Sequence, residues 1–545
     1  MPILSGSLIL ASGSLEIPNG SLIGTSSYAL TASYALNGGG SSLFQVDGNN
    51  NILVDGFSLN TTTTGNQNIA LGSAALNSNT TGNYNIAQGY KALNQNTTGI
   101  QNIALGESAL YSNSVGTHNI ALGTVALGAN TSGSNNIALG YSALNQNTTG
   151  QQNVALGQNA LQSNTTGNTN VAIGTQTLYQ NIYGAQNIAI GQAALRDNTI
   201  GNYNVALGAS TLLYNTSGSY NIALGSAALR QNTTGNYNVA LGYAALKYNT
   251  TGYNNVALGQ NALVNNLIGN GNVGLGYATL FNNTSGSQNV ALGQNALRNN
   301  TEGNYNVALG YSTLRSNVTG IQNVALGHSA LYYNTTGNSN VALGNAALQL
   351  NTVGNYNVAL GHNALTYNTS GSNNVALGRN ALTSNTTGNN NTALGPSALQ
   401  YNTSGSYNIA LGYNALLNNT TGSFNVALGS QALSNTTTGY QNVAIGYSAL
   451  RYNITGYNNV ALGRDALLNN TTGSNNTGVG WGVGTGDFSG SLILGAGATA
   501  TTNGQLALGS PSYPLGPVTS ATSASSTHTL DVLLNGNTYK IMLTQ

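Results

Sequence analysis

The stretch Asn79-Thr80-Thr81-Gly82-Asn83-Tyr84-Asn85-Ile86-Ala87-Gln88-Gly89-Tyr90-Lys91-Ala92-Leu93-Asn94-Gln95 is one unit of 17 residues, and Asn96-Thr97-Thr98-Gly99 begins it again. With the turn glycine as position zero, copies fall at Gly65, Gly82, Gly99 and Gly116 and continue without insertion or deletion to Gly473, 25 in all. The consensus is N-T-T-G-x-x-N-(V/I)-A-L-G-x-x-A-L-x-x. Two further positions never vary in the array: the Asn at plus three (Asn68, Asn85, Asn102, Asn119 and on to Asn476) and the Gly at plus seven (Gly72, Gly89, Gly106 and on to Gly480).

A period with no length variation places every unit in the same position of a stack, because one extra residue throws the next strand out of register. A unit this short cannot hold two helices and a turn, and its β-branched and glycine content argues for strand. The expected fold is all-β: a parallel β-solenoid, or β-roll, of 25 coils with distinct N- and C-terminal caps. Neighbouring strands lie about 4.8 Å apart, so the array predicts a rod on the order of 115 Å long.

Alternation along N-V-A-L-G sends Val and Leu to one face and Asn and Ala to the other, as at Val154-Ala155-Leu156 and Val205-Ala206-Leu207. The larger apolar pair is expected to fill the coil, in two short strands, with the Leu of A-L at plus eleven (Ala75-Leu76, Ala160-Leu161) also inward. Glycine at plus seven is expected to turn the chain through a positive φ. The plus-three Asn reads as an amide ladder along the axis. The small Ala at plus five (Ala70, Ala87, Ala155), outward on this reading, would let identical chains approach, which leads to an expected parallel homotrimer.

Only 3% of residues are charged and the net charge is +1. Binding nucleic acid or an anionic membrane by counterion release needs clustered positive charge, so neither is an expected partner. There is no Cys and therefore no disulfide or thiolate zinc site. Nothing approaches the ~18 consecutive apolar residues of a membrane span. The opening Met1-Pro2-Ile3-Leu4-Ser5-Gly6-Ser7 lacks the basic and apolar regions of a secretory signal, from which synthesis and assembly in a cytoplasm are expected.

No catalytic constellation is found. The acids in the array, Glu107, Asp197, Glu302 and Asp465, sit at four different repeat positions several coils apart, not in the facing pair that glycoside cleavage requires. His118, His328, His362 and His528 lack the spacing that puts two on one metal. No enzyme activity, metal or cofactor is expected. Binding is better represented. Tyrosines recur at plus two (Tyr84, Tyr203, Tyr237, Tyr305, Tyr356) and at plus eight (Tyr90, Tyr141, Tyr243, Tyr311, Tyr413), and aromatic faces with hydroxyl tips suit sugars and protein surfaces. With Trp481, the one Trp, they are the candidate receptor contacts, although a plug for the last coil is the simpler role for Trp481. The N-T-T turns also form N-x-(S/T) acceptors, inert in a phage or bacterial cytoplasm, where the Asn and Thr would instead close the turn through side-chain to backbone bonds; if the source glycosylates its surface proteins, the rod would be heavily coated.

At N-V-A-L-G-x-x-A-L the array, over about residues 62 to 480, resembles the head repeats of trimeric autotransporter adhesins, the YadA-like family. The resemblance implies a left-handed parallel β-roll assembled as a trimer. The ends resemble something else. Ser5 to Leu8 and Ser12 to Leu15 repeat S-G-S-L, and Ser27-Tyr28-Ala29-Leu30-Thr31-Ala32-Ser33-Tyr34-Ala35-Leu36-Asn37 is similar to the N-terminal regions of bacteriophage tail-fibre and other virion structural proteins.

The expected organisation is an N-terminal attachment and capping region (1–64), a solenoid shaft (65–480), an irregular Ser/Thr/Pro-rich linker (481–527) and a terminal hairpin with an N-G turn (528–545). The expected function is a tail fibre or virion appendage. Its N-terminal region would contact virion or tail proteins, and its distal parts a host-surface glycan or protein. A self-assembling extracellular filament or cellular adhesin is the second expectation, and an ice-binding solenoid a third.

Overall fold

The computed structural model describes residues 44–54, 58–59, 63–513, 528–534 and 537–543. The Ser-Gly-Ser-Leu repeats and the Ser27–Asn37 segment lie outside them, as does the Ser/Thr-rich stretch from Thr519 to Thr527. The fold is a parallel β-solenoid without helix. A short hairpin of β1 (Gln45–Val46) and β2 (Ile52–Leu53) opens it. From β3 (Ile69–Leu71) to β27 (Thr477–Val479) one three-residue strand recurs every 17 residues. Each pairs in parallel with the next at identical register, as in Val239↔Val256, Ala240↔Ala257, Leu241↔Leu258.

The stack outruns the sequence period at both ends. Ile52 pairs with Ile69, and Asn51 and Leu59 occupy the buried plus-three and plus-eleven places of an earlier coil. Past Gly480, strands β28 (Leu492–Leu494) and β29 (Leu506–Leu508) continue the parallel ladder although their coils have lost residues. Residues 481–513 therefore belong to the solenoid and not to an irregular linker. The sheet holds 29 strands, and at about 4.8 Å per step the described stack is on the order of 130 Å long. Separately, β30 (His528–Leu534) and β31 (Asn537–Leu543) form the expected antiparallel hairpin. Its register leaves two residues between Leu534 and Asn537, and the Asn535-Gly536 turn itself is outside the described residues.

The expected facing of the strand is reversed. Ala at plus five is sealed inside every coil it occupies, from Ala70 to Ala461, while its Val, Ile and Leu neighbours point out. Ala325 is 0% exposed, whereas Leu326 beside it is 43% exposed. The Ala-mediated contact between chains is excluded by this burial. The reason is volume. One strand and two turns enclose a narrow interior, and Leu at plus eleven, Ala at plus ten and plus five, and two Asn side chains already fill it. The second expected strand is absent too: residues around plus ten and eleven run as turns, with Leu inward as expected.

Those turns need left-handed backbone. Glycine at plus seven has φ between 119° and 140°, as expected, and a Cβ on Gly89 would also lie 2.6 Å from the carbonyl oxygen of Gly106 in the next coil. Less foreseeable, Leu at plus eleven is left-handed in every coil, at φ 49–53°. This conformation costs an L-residue roughly 1–2 kcal/mol. It persists because both neighbours fix it: Leu93 donates its N–H to Ala109 O at 3.0 Å, and Leu76 N–H reaches Ala92 O at 3.0 Å.

Candidate functional site

The surface is laid out in ranks, each repeat position forming a row along the axis. Interior rows are structural. Each plus-three Asn accepts from the backbone and side-chain amides of the Asn one coil on, and donates to a turn carbonyl: Asn102 N and Nδ2 reach Asn85 Oδ1 at 3.0 and 3.1 Å, and Asn102 Nδ2 reaches Gly116 O at 2.9 Å. The ladder through Asn68, Asn85, Asn102 and Asn119 is thus present, with its amides paired.

A second amide ladder, not anticipated, runs through the turn Asn. Asn96 Nδ2 donates to Asn79 Oδ1 at 2.8 Å and closes its own turn on Gly99 O at 3.0 Å. This Asn is the acceptor of each N-T-T sequon and is fully buried. A closed coil therefore has no room for a glycan there, and of the two expectations for these turns it is closure by side-chain to backbone bonds that the structure holds. The ladder breaks once, where Thr436 replaces Asn: Asn419 Oδ1 is buried without a partner, and Asn453 Nδ2, which still closes its own turn on Gly456 O at 3.0 Å, reaches Thr436 Oγ1 at 3.5 Å in place of an amide oxygen.

The plus-three ladder begins on a carboxylate, whereas at the far end Asn476 Oδ1 accepts from Ser491 N at 2.9 Å and Asn470 Oδ1 of the turn row accepts from Thr485 Oγ1 at 3.0 Å. At the first coil Asp47 takes the place of a preceding Asn: Asn51 N and Nδ2 donate to its Oδ1 and Oδ2 at 2.9 and 2.8 Å, and Asn49 N to Oδ1 at 2.9 Å. At the far end Asp487 accepts from Thr471 N and Oγ1, and from Thr472 N at 3.0 Å. Burial raises both carboxyls, but the hydrogen bonds outweigh it and hold each below the usual Asp value of 3.8.

Outside, the strand rows form one apolar stripe: Val or Ile at plus four and mostly Leu at plus six, half-exposed from Ile69 to Leu508. With roughly a third of about 100 Å² of side chain exposed on each, two such residues per coil sum along the array to on the order of 1,500 Å². The largest apolar patch on a typical monomer is only ~300–600 Å².

The candidate receptor contacts Tyr84, Tyr90, Tyr141, Tyr203, Tyr237, Tyr243, Tyr305 and Tyr311 are all exposed, and they fall in the two ranks expected. Not all present a free ring face. Tyr203, Tyr220 and Tyr237 stack at 4.8 and 4.9 Å, the rise of a coil, and Tyr311 stacks on His328 at 5.2 Å. Lys91 sits over the ring of Tyr90. Trp481 does not plug the last coil: it is 49% exposed, edge-on to Tyr513, in the same rank as the plus-eight tyrosines.

A third feature escaped the sequence reading. Between the rank at plus thirteen and the first Thr of each turn, two grooves open along the axis, of about 310 and 580 Å³. Each centres on a turn whose Thr pair is replaced by apolar residues, Ile182-Tyr183 and Leu267-Ile268. The signal was the departure from consensus, hidden by reading the consensus.

Among the described residues no three His, Asp or Glu gather to hold a metal, and no helix is long and apolar enough to cross a membrane. The chain matches no known protein family, no curated protein and no solved structure.

Proposed function

We propose that this chain is a fibre-forming structural protein, a bacteriophage tail fibre or related virion appendage, which assembles as a parallel homotrimer and contacts the host surface along its length. The observation that carries the reading is the Val/Ile–Leu stripe, which only Gln88, Thr392 and Thr477 interrupt along the whole array. A face this long and apolar is stable in water only when covered, and it exceeds the ~800 Å² per partner that a standard stable interface buries. The partner that matches a row repeating at every coil for the whole rod is another copy with the same rise, laid parallel. Outward Val and Leu thus take the interface role that Ala was expected to have. Three chains would then offer many copies of each surface rank, turning weak contacts into avidity.

The test is assembly. The protein purified under native conditions is expected at three times the chain mass by light scattering, and as a rod on the order of 130 Å by electron microscopy. Replacing Leu241 and Leu258 by Lys in the stripe should release monomer while leaving the coil intact, since these side chains do not enter it. A wild-type monomer would sink the trimer. For the virion role, purified protein should compete with particles for host adsorption, and chains lacking residues 1–64 should fail to join particles.

A further inference from the structure

The array carries a Thr, Ser or charged residue on at least one side of every turn except two. Only in Asn181-Ile182-Tyr183-Gly184 and Asn266-Leu267-Ile268-Gly269 are both positions between Asn and Gly apolar. Neither replacement serves the coil. Elsewhere the first Thr ties coils together, as Thr97 Oγ1 does to Ser114 O at 2.9 Å. Ile182 and Leu267 accept such a bond on their carbonyls, from Thr165 and Thr250, but have no hydroxyl to pass it on. Their side chains point out instead: Leu267 is 41%, Ile268 52% and Tyr183 60% exposed. The fold loses a hydrogen bond and gains exposed apolar surface at each site.

The two sites share a composition, with aromatic walls from different places: Tyr179 stands at plus twelve of the Ile182 coil and Tyr248 at plus thirteen of the coil before Leu267. Ile182 and Leu267 form aliphatic floors, Tyr179 and Tyr248 the aromatic walls, and amides with hydroxyls line the rest, Gln146, Gln180 and Thr199 in one groove, Gln231, Asn265 and Thr284 in the other. No charged side chain lines either groove, but Lys247 Nζ stands 4.7 Å from the centroid of the Tyr248 ring and covers one of its faces. The floors lie five coils apart on the same flank, about 24 Å at the strand spacing.

We propose that these two grooves are binding sites for a neutral oligosaccharide whose sugars carry methyl groups, as N-acetyl or 6-deoxy substituents. The aliphatic floor takes the methyl, the Tyr ring packs on the sugar's C–H face, and the amides exchange hydrogen bonds with its hydroxyls. A cationic ligand would find no carboxylate in either groove and Lys247 beside one, and an anionic ligand would find no counter-charge in the lining of the groove over Ile182. A peptide adding as a strand would find no free edge, because the main-chain groups of each coil are spent on the coils above and below. The sites give the host contact proposed above its ligand class and rest on that reading. Oligosaccharide binding by purified protein tests them, whereas assembly and particle attachment test the fibre, so the two failures are distinguishable.

The experiment is calorimetric titration of the full chain with tetramers of N-acetylglucosamine and of rhamnose, with maltotetraose, which lacks methyl groups, as control. At least one methyl-bearing tetramer should bind and maltotetraose should not. Ile182→Thr and Leu267→Thr should each abolish one of two sites, and the double variant should weaken binding at least about tenfold. Both changes restore the residue that other turns carry, so an unchanged circular-dichroism spectrum and assembly mass are expected alongside. Equal binding of all three sugars, no binding of any, or wild-type affinity in the double variant would overturn the proposal.

Discussion

A leucine held at φ near 50° in every coil is the least expected single-residue feature, and it makes a sharp test. Leu229→Val keeps an apolar side chain but puts a β-branch where left-handed backbone tolerates it least, and it also removes a buried methylene. Destabilisation of about 2 kcal/mol or more is expected, read as an earlier local melt or a new protease-sensitive site in that coil. The opposite sign is expected at the broken ladder. Thr436→Asn offers the orphaned Asn419 Oδ1 a donor and gives Asn453 a better acceptor, worth about 1 kcal/mol of protection, which hydrogen exchange at neighbouring amides would detect. Glycine at plus seven and Asn at plus three were legible in the sequence, since only a rigid geometric demand repeats one residue without exception. The Leu conformation was not, because nothing in a side chain's identity announces the φ its neighbours impose.

Individual coils are identical in plan, so the ends decide how the element terminates. Asp47 replaces the acceptor of a missing neighbour, and Asp487 supplies one where the regular 17-residue turn gives out, two strands before the end of the stack; the folded-state pKa of each is lowered from 3.8. A carboxyl shifted down contributes stability that is complete above its unfolded pKa and is lost as pH falls through the folded one. The first coil and the junction at Thr471 and Thr472 should therefore loosen below about pH 4 while the central coils, which lack such carboxylates, hold. Amide exchange corrected for intrinsic rates should show loss of protection at Asn49, Asn51, Thr471 and Thr472 on acidification, and Asp487→Asn should abolish the pH dependence at the last two. Protection that is unchanged across that range would remove the capping role. Strand boundaries were readable from N-V-A-L-G. The extra coils on either side were not, because Ile52-Leu53 and Leu492–Leu494 keep the pairing while departing from the spelling.

Across the described residues, one face of the sheet is covered by its own turns and the other is left uncovered. That asymmetry is why self-association is the expected state, and it separates two kinds of surface: a long apolar stripe suited to sister chains, and polar flanks bearing tyrosines and the two grooves. The buried turn Asn residues make a further global prediction. Intact mass from a glycosylating host should show no sugar at Asn79, Asn96 or their equivalents in folded protein, and modification there would require chains trapped before the coil closed. Any sugar that is found should sit on surface sequons such as Asn299 or Asn469.

The sequence alone determined the period, the parallel stacking, the amide ladder and the glycine turns, because each follows from strict repetition with one residue type per place. Alternation likewise fixed that Val and Leu share a face opposite Asn and Ala. Which face points inward only the tertiary structure decided. Hydrophobicity favours the larger pair, but the cross-section is too narrow for them once Leu at plus eleven and two Asn side chains are inside. The interior took alanine, and the bulkier apolar residues were left on the outside of the rod.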